Sequence, residues 1–374
     1  MTDNDLGKFI PLLGIVCCPF TRTSLSLISR PELELLLSEE ENKRIPESTI
    51  GAMVSKDAAV AFPIIGNIVS FLIEDTLRLS QKYFAAREDL ETSINYSIKK
   101  SVKEWYDNFG WRRNPDEQYG DTSTFSQVGQ SAHGYYEMDS HLQFIHHLMG
   151  GVFLLDAASG AIPHPEYLAY SWFYQYRVCV DISIAALQEA AFKIGGVGFY
   201  CLADICHLPF QDNVFDGIVS GYTVQHVPES DQMIAVKELY RVLASRKHCY
   251  IMTSLRFGNA GRAIRQLLGR ASGFVRMAKK LPDFEAEHKQ SNLKCSAPST
   301  LYNYSRNIRW WKKAIQDLDC EGSATTLRVF SKAEFENFFG NSFRSAMFLR
   351  QLERSFPSLL NLFCQYGLIH IVKN

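Results

Sequence analysis

Three aspartates, Asp156, Asp181 and Asp204, each follow directly on a short apolar run, and together they carry the chemistry the chain offers. Phe153–Leu155 stops at Asp156, Arg177–Val180 at Asp181 and Phe199–Ala203 at Asp204. A fourth run, Gly217–Val219, is entered from Asp216. Ionised carboxylates accept hydrogen bonds from hydroxyls and amines. After Asp156 the chain turns through Ala157, Ala158, Ser159 and Gly160, residues small enough for a ligand to lie against the backbone. Asp181 follows about 25 residues later, where a carboxylate can accept from two ribose hydroxyls. Asp204, on the next run, is placed to take the exocyclic amine of an adenine. Ile182, Ile205 and Gly221, next to these tips, complete the expected wall of the cofactor site. The set suits an adenosine-bearing ligand whose tail lies along the small-residue turn. No lysine follows the turn, so it is not a P-loop. Only Gly160 answers to G-x-G-x-x-G, which weakens an NAD-linked oxidoreductase reading.

Short apolar runs separated by helical stretches form parallel strands covered on both faces. Ligands lie across the carboxyl ends of such strands, at the switch point. The expected fold class is therefore α/β, a Rossmann-like sheet with helices on both faces. The stretch after the third run adds detail: Asp204, Leu208–Phe210, Asp212–Asn213, Phe215–Asp216, His226–Val227 and Glu238–Leu243. These residues resemble the S-adenosylmethionine-dependent class I methyltransferases, in particular the group that includes the ubiquinone/menaquinone-pathway C-methyltransferases. The resemblance spans roughly residues 151–254. It implies a seven-stranded sheet whose last strand, Leu368–Val372, runs antiparallel beside the fifth, and S-adenosylmethionine as cofactor. The chain departs from the family in two places. The glycine-rich turn is reduced to AASGA, with Ser159 where many members carry Cys or Gly. Ala244–Lys247 replaces a Pro-Gly-Gly turn.

The resemblance implies an enzyme that transfers a methyl group to a small-molecule or glycan acceptor. The donor is an activated sulfonium, so orientation and exclusion of water supply much of the rate. A general base is needed only if the acceptor loses a proton as it attacks. His226, after the fourth run, is the candidate base. Tyr222 is placed to meet the methionine portion or the acceptor. Two alternatives stay open: a catalytically weak scaffold of the same fold, and a methyltransferase acting on RNA or protein. The formal net charge of -1 provides no global basic field, so no stable nucleic-acid partner is expected.

Three regions follow from the 374 residues, of which 46% are hydrophobic and 13% aromatic, enough for a sizeable core. Residues 1-75 read as a small β-rich module with a strand–turn–strand at Gly66-Asn67. Through Cys18-Pro19 and Phe62–Ile68 it resembles the small zinc-ribbon-like family that activates several methyltransferases. With one adjacent cysteine pair, no zinc is expected there. Residues 76-150 read as a helical connector and lid, with Tyr106, Trp111 and Tyr119 as substrate contacts. His133, His141, His146 and His147 match no metal motif, so no metal is expected. Residues 151-374 form the methyltransferase-like domain. Its insertion, about 256-307, begins as a basic amphipathic helix suited to an anionic substrate or a membrane surface. Nine cysteines without a C-x-x-C pair, and a start without a signal-peptide pattern, point to reduced thiols in the cytoplasm. Ala58–Ile73 is interrupted by Pro63, Gly66 and Asn67 and is too short to span a bilayer.

Overall fold

The structure, a computed structural model, describes residues 6–79, 94–113, 119–120, 131–257, 301–362 and 364–374. Its centre is a set of parallel strands whose carboxyl halves are apolar and buried: β6 (Gly151–Ala157), β7 (Tyr174–Asp181), β8 (Gly198–Leu202), β9 (Phe215–Gly221) and β10 (Leu243–Ser254). β6 pairs with β7 on one side and β9 on the other. The chain runs outward from β6 through β7 to β8, then crosses back to β9 and β10. The direction of winding therefore reverses beside β6, where Asp156 lies, and Asp181 and Asp204 follow along the same carboxyl edge at the tips of β7 and β8.

Helices fill the crossovers. Ile184–Ile194 follows β7, with the Ser183 side chain accepting from the Ala186 amide at its start and Gly195 (φ +69°) ending it. Gln232–Val242 follows β9 and buries Ala235, Val236, Leu239 and Val242 in the core. The last strand, β12 (Tyr366–Val372), lies antiparallel between β10 and β11 (Glu321–Arg328). Where the resembled family has Pro-Gly-Gly, Arg246 takes a φ of +61°, and the β9–β10 register shifts between Leu243 and His248.

The amino-terminal strands continue the same sheet beyond β8. They are β1 (Ser26–Ser29), β2 (Thr49–Ser55), β3 (Val60–Ile65), β4 (Ile68–Ser70) and the short β5 (Leu77–Arg78). β4 runs parallel to β8, with Val69 opposite Cys201, and the Phe71 amide donates to the Leu202 carbonyl at 2.8 Å. A second seam joins Val16 to Phe210 and the Cys17 amide to the Pro209 carbonyl. Pro63 fits inside β3 because it falls between the residues that pair with β4 and those that pair with β5, where no amide is needed. The helix Ile94–Trp105 and the π-turn Tyr106–Gly110 cross the carboxyl ends of the central strands. Most of the basic insertion, 258–300, lies outside the described residues. Among those described, no helix is long and apolar enough to cross a membrane.

Candidate functional site

The turn after β6 is built from left-handed backbone. Ala158 (φ +56°), Gly160 (φ +56°) and Ile162 (φ +50°) bend it tightly over β7. A Cβ on Gly160 would sit 2.7 Å from the Trp111 ring, so glycine is required by both conformation and space. The Gly160 amide donates to Asp181 Oδ2 and the Ser183 amide to Oδ1, each at 2.9 Å. No cation pairs with Asp181 among the described residues. Burial pushes its carboxyl up to about 7, against the pull of those two amides.

The other two strand-tip carboxylates are neutralised from within. Asp156 is held by the wholly buried Arg177, whose Nε donates to it at 3.0 Å and whose Nη1 donates to the Tyr167 carbonyl at 2.7 Å. Asp204 accepts from Lys99 Nζ at 2.7 Å and from the Cys206 amide at 2.9 Å, and Lys99 also reaches Asp231 at 2.9 Å. Burial alone would raise the Asp204 carboxyl, but the His207 hydrogen bond and the Lys99 charge hold it well below the usual range. Lys99 was not among the expected site residues. In the run SIKKSVKE nothing marks it apart from its solvated neighbours.

Beyond these tips lies a cavity of about 380 Å³. Asp156, Ala158, Ser159, Gly160, Asp181, Ile182, Asp204, Ile205, Gly221, Tyr222, His226, Tyr106 and Trp111 all line it. Ala157 does not; it is wholly buried beneath the turn. Tyr119 does not either, because its hydroxyl is drawn to Glu189 at 2.6 Å and its ring packs behind Trp111. Tyr106 stacks on Trp111 at 5.4 Å, and the pair covers the turn. His226 donates from Nδ1 to the Tyr302 carbonyl at 2.8 Å, which leaves Nε2 as an acceptor. Burial lowers its pKa, opposed by that carbonyl.

The far end of the cavity is lined by His164, Tyr167, Tyr170, Met252, Arg328 and Tyr366. Arg328, buried and stacked 4.5 Å from the Tyr366 ring, pairs with Glu137 at 2.6 Å. Burial would raise the Glu137 carboxyl, but Arg328 brings it down to about 2. Tyr222, with φ +55°, meets His141 Nε2 through its hydroxyl at 3.1 Å, and His141 Nδ1 meets Glu166 at 2.9 Å. His164 lies beside them, its pKa lowered to about 4 by burial. The histidine spacing had suggested no cluster, yet His141, His164 and Glu166 bring their donor atoms within 4.8 Å of one another. Both ring nitrogens of His141 already have partners, so the arrangement is that of a hydrogen-bonded chain.

Residues 155–251 match the family described as Methyltransferase domain. The matched segment contains Asp156, Asp181, Asp204 and Tyr222. The ubiquinone/menaquinone biosynthesis C-methyltransferase UbiE of Desulfotalea psychrophila is 34% identical over 70 residues, which make up 18% of this chain and 28% of that relative. The chain thus spans under a third of the length of this curated relative. Among solved structures, the YcgJ protein of Bacillus subtilis is similar at 14% identity and a TM-score of 0.37, over 64% of this chain and 99% of that one. A phosphoethanolamine N-methyltransferase of Haemonchus contortus is similar at 15% identity and a TM-score of 0.39, over 80% of this chain and 62% of that one.

Proposed function

We propose that the whole protein transfers the methyl group of S-adenosylmethionine to a small-molecule or glycan acceptor, in the cytoplasm. The observation that carries this reading is Asp181: a buried carboxylate at a strand tip, lining the cavity, with a backbone amide on each oxygen and no paired cation among the described residues. Such a group suits two ribose hydroxyls. Asp204, backed by Lys99, suits the adenine amine, with Ile182 and Ile205 beside the ring. The turn through Ala158, Ser159 and Gly160 suits the methionine tail, because Gly160 presents no side chain there. When bound, the cofactor supplies an electrophilic methyl carbon. The chain's own part is to orient the acceptor in the cavity beyond Gly221 and exclude water with Tyr106 and Trp111.

The limited volume, about 380 Å³, and tyrosine-rich walls favour a small acceptor over RNA or a folded protein. In the same reading residues 1-75 are an activator-like unit fused in one chain, which the pairing of β4 along β8 supports. Calorimetry tests the central claim: S-adenosylmethionine binds the wild-type protein, and Asp181→Ala removes most of that affinity. Unchanged affinity in the variant, or no binding by the wild type, refutes it.

A further inference from the structure

We infer that Glu166, His141 and Tyr222 form a proton relay that accepts the proton of a hydroxyl acceptor as its oxygen is methylated; the inference rests on the methyl-transfer reading above. An ionised carboxylate only accepts hydrogen bonds, so the 2.9 Å contact between Glu166 and His141 places the imidazole proton on Nδ1. Nε2 then carries the lone pair, and the Tyr222 hydroxyl donates to it at 3.1 Å. His141 is wholly buried, while Tyr222 lines the cavity. Of the three, Tyr222 alone lines the cavity, so it is the member that an incoming O–H meets.

Three further features fit this use. Tyr222 sits at φ +55° with its amide fixed on the Met252 carbonyl at 2.7 Å, a conformation unfavourable for a bulky residue and found where surroundings impose it. Among the described residues the second oxygen of Glu166 is buried without a hydrogen-bond partner, so the carboxylate has capacity left to stabilise an imidazolium. The neighbouring cation, Arg328, is paired with Glu137 rather than with Glu166. His226, the base expected from the fourth strand, donates to a carbonyl and has no carboxylate behind it among its described partners.

A neutral hydroxyl is a weak nucleophile, and removing its proton in the transition state is where a base contributes. As the oxygen–carbon bond forms, the carbon–sulfur bond breaks and its electron pair stays on sulfur. The hydroxyl proton passes to the Tyr222 oxygen while the Tyr222 proton passes to His141 Nε2, leaving an imidazolium held by Glu166. Tyr222 is the group that touches the acceptor; His141 and Glu166 act through it.

The test uses full-length protein and two matched probes, phenol and 4-nitrophenol, at a pH where only the nitrophenol is already ionised. Transfer is read as S-adenosylhomocysteine released. Tyr222→Phe, His141→Asn and Glu166→Gln are expected to lower turnover of phenol by about 10²-fold while leaving the ionised nitrophenol nearly unaffected. Calorimetric affinity for S-adenosylmethionine is expected to stay at the wild-type value, and a melting curve checks that each variant is folded at the assay temperature. Should His141→Asn fail to fold, the other two variants carry the comparison. Equal loss on both probes makes the chain structural and overturns the relay. So does stoichiometric bound zinc whose removal abolishes activity. Wild-type transfer to amines or thiols but to neither phenol overturns the hydroxyl assignment while the methyl-transfer reading stands. Absence of S-adenosylmethionine binding overturns that reading and the relay together.

Discussion

The two ends of the cavity use buried charge in opposite ways. At the far end, Arg328 and Glu137 neutralise each other at 2.6 Å, both almost inaccessible to solvent. At the strand tips, Asp181 is also buried but, among the described residues, is held by backbone amides. A carboxylate left without a counter-charge keeps capacity for a ligand, whereas a closed ion pair holds the surrounding elements in place. The Arg328–Glu137 pair therefore contributes to stability and shape, and Asp181 to binding.

The strongest way to break this contrast is Arg328→Leu. It strands Glu137 in the interior, and chemical denaturation is expected to show a loss of about 3–5 kcal/mol. Replacing both partners by leucine is expected to recover most of that loss. If the single variant melts like the wild type, the far end is not a structural clamp. Asp181→Asn is expected to behave the other way. It keeps an oxygen for one backbone amide and most of the stability, but loses about 1.5–3 kcal/mol of cofactor binding, a ten- to hundredfold weakening by calorimetry.

Acidity sharpens the same point. With the free carboxyl near 7, ribose hydroxyls that donate to the ionised form lower its pKa on binding. Affinity for S-adenosylmethionine is then full above pH 7 and falls by up to about tenfold per pH unit below it. In Asp181→Asn that slope is expected to vanish, and a slope that survives places the titration elsewhere. The smallest effect belongs to neither end. Arg246, exposed at φ +61°, occupies a conformation that glycine adopts freely. Arg246→Gly is expected to raise stability by up to about 1 kcal/mol, read as a small rise in melting temperature with cofactor affinity unchanged.

These two ends also differ in how far the sequence reveals them. Strand tips follow from local pattern: an apolar run ending in aspartate, then small residues, places Asp156, Asp181 and Asp204 together once the strands are parallel. The runs read as strands match β6 to β9 within a few residues at each end. The far end has no local pattern. Glu137 and His141 share one helix, but Glu166, Tyr222 and Arg328 come from three other stretches that only tertiary packing brings to it. Lys99 escaped for a related reason, since a lysine among lysines reads as solvated until its partner's location is known. Tyr119 shows the converse. A tyrosine in an aromatic-rich loop suggested substrate contact, but one nearby carboxylate, Glu189, was enough to turn it away.

The parallel pairing of β4 with β8 has a consequence for how the protein can be handled. β8 leads straight into Asp204, so a ladder along its outer side fixes the height at which that carboxylate meets Lys99. A fragment truncated ahead of Ile94 would leave the outer edge of β8 unpaired, a template for strand addition by another molecule. Such a fragment is expected to self-associate, and trimming the amino-terminal part to improve crystals would remove what keeps the molecules apart.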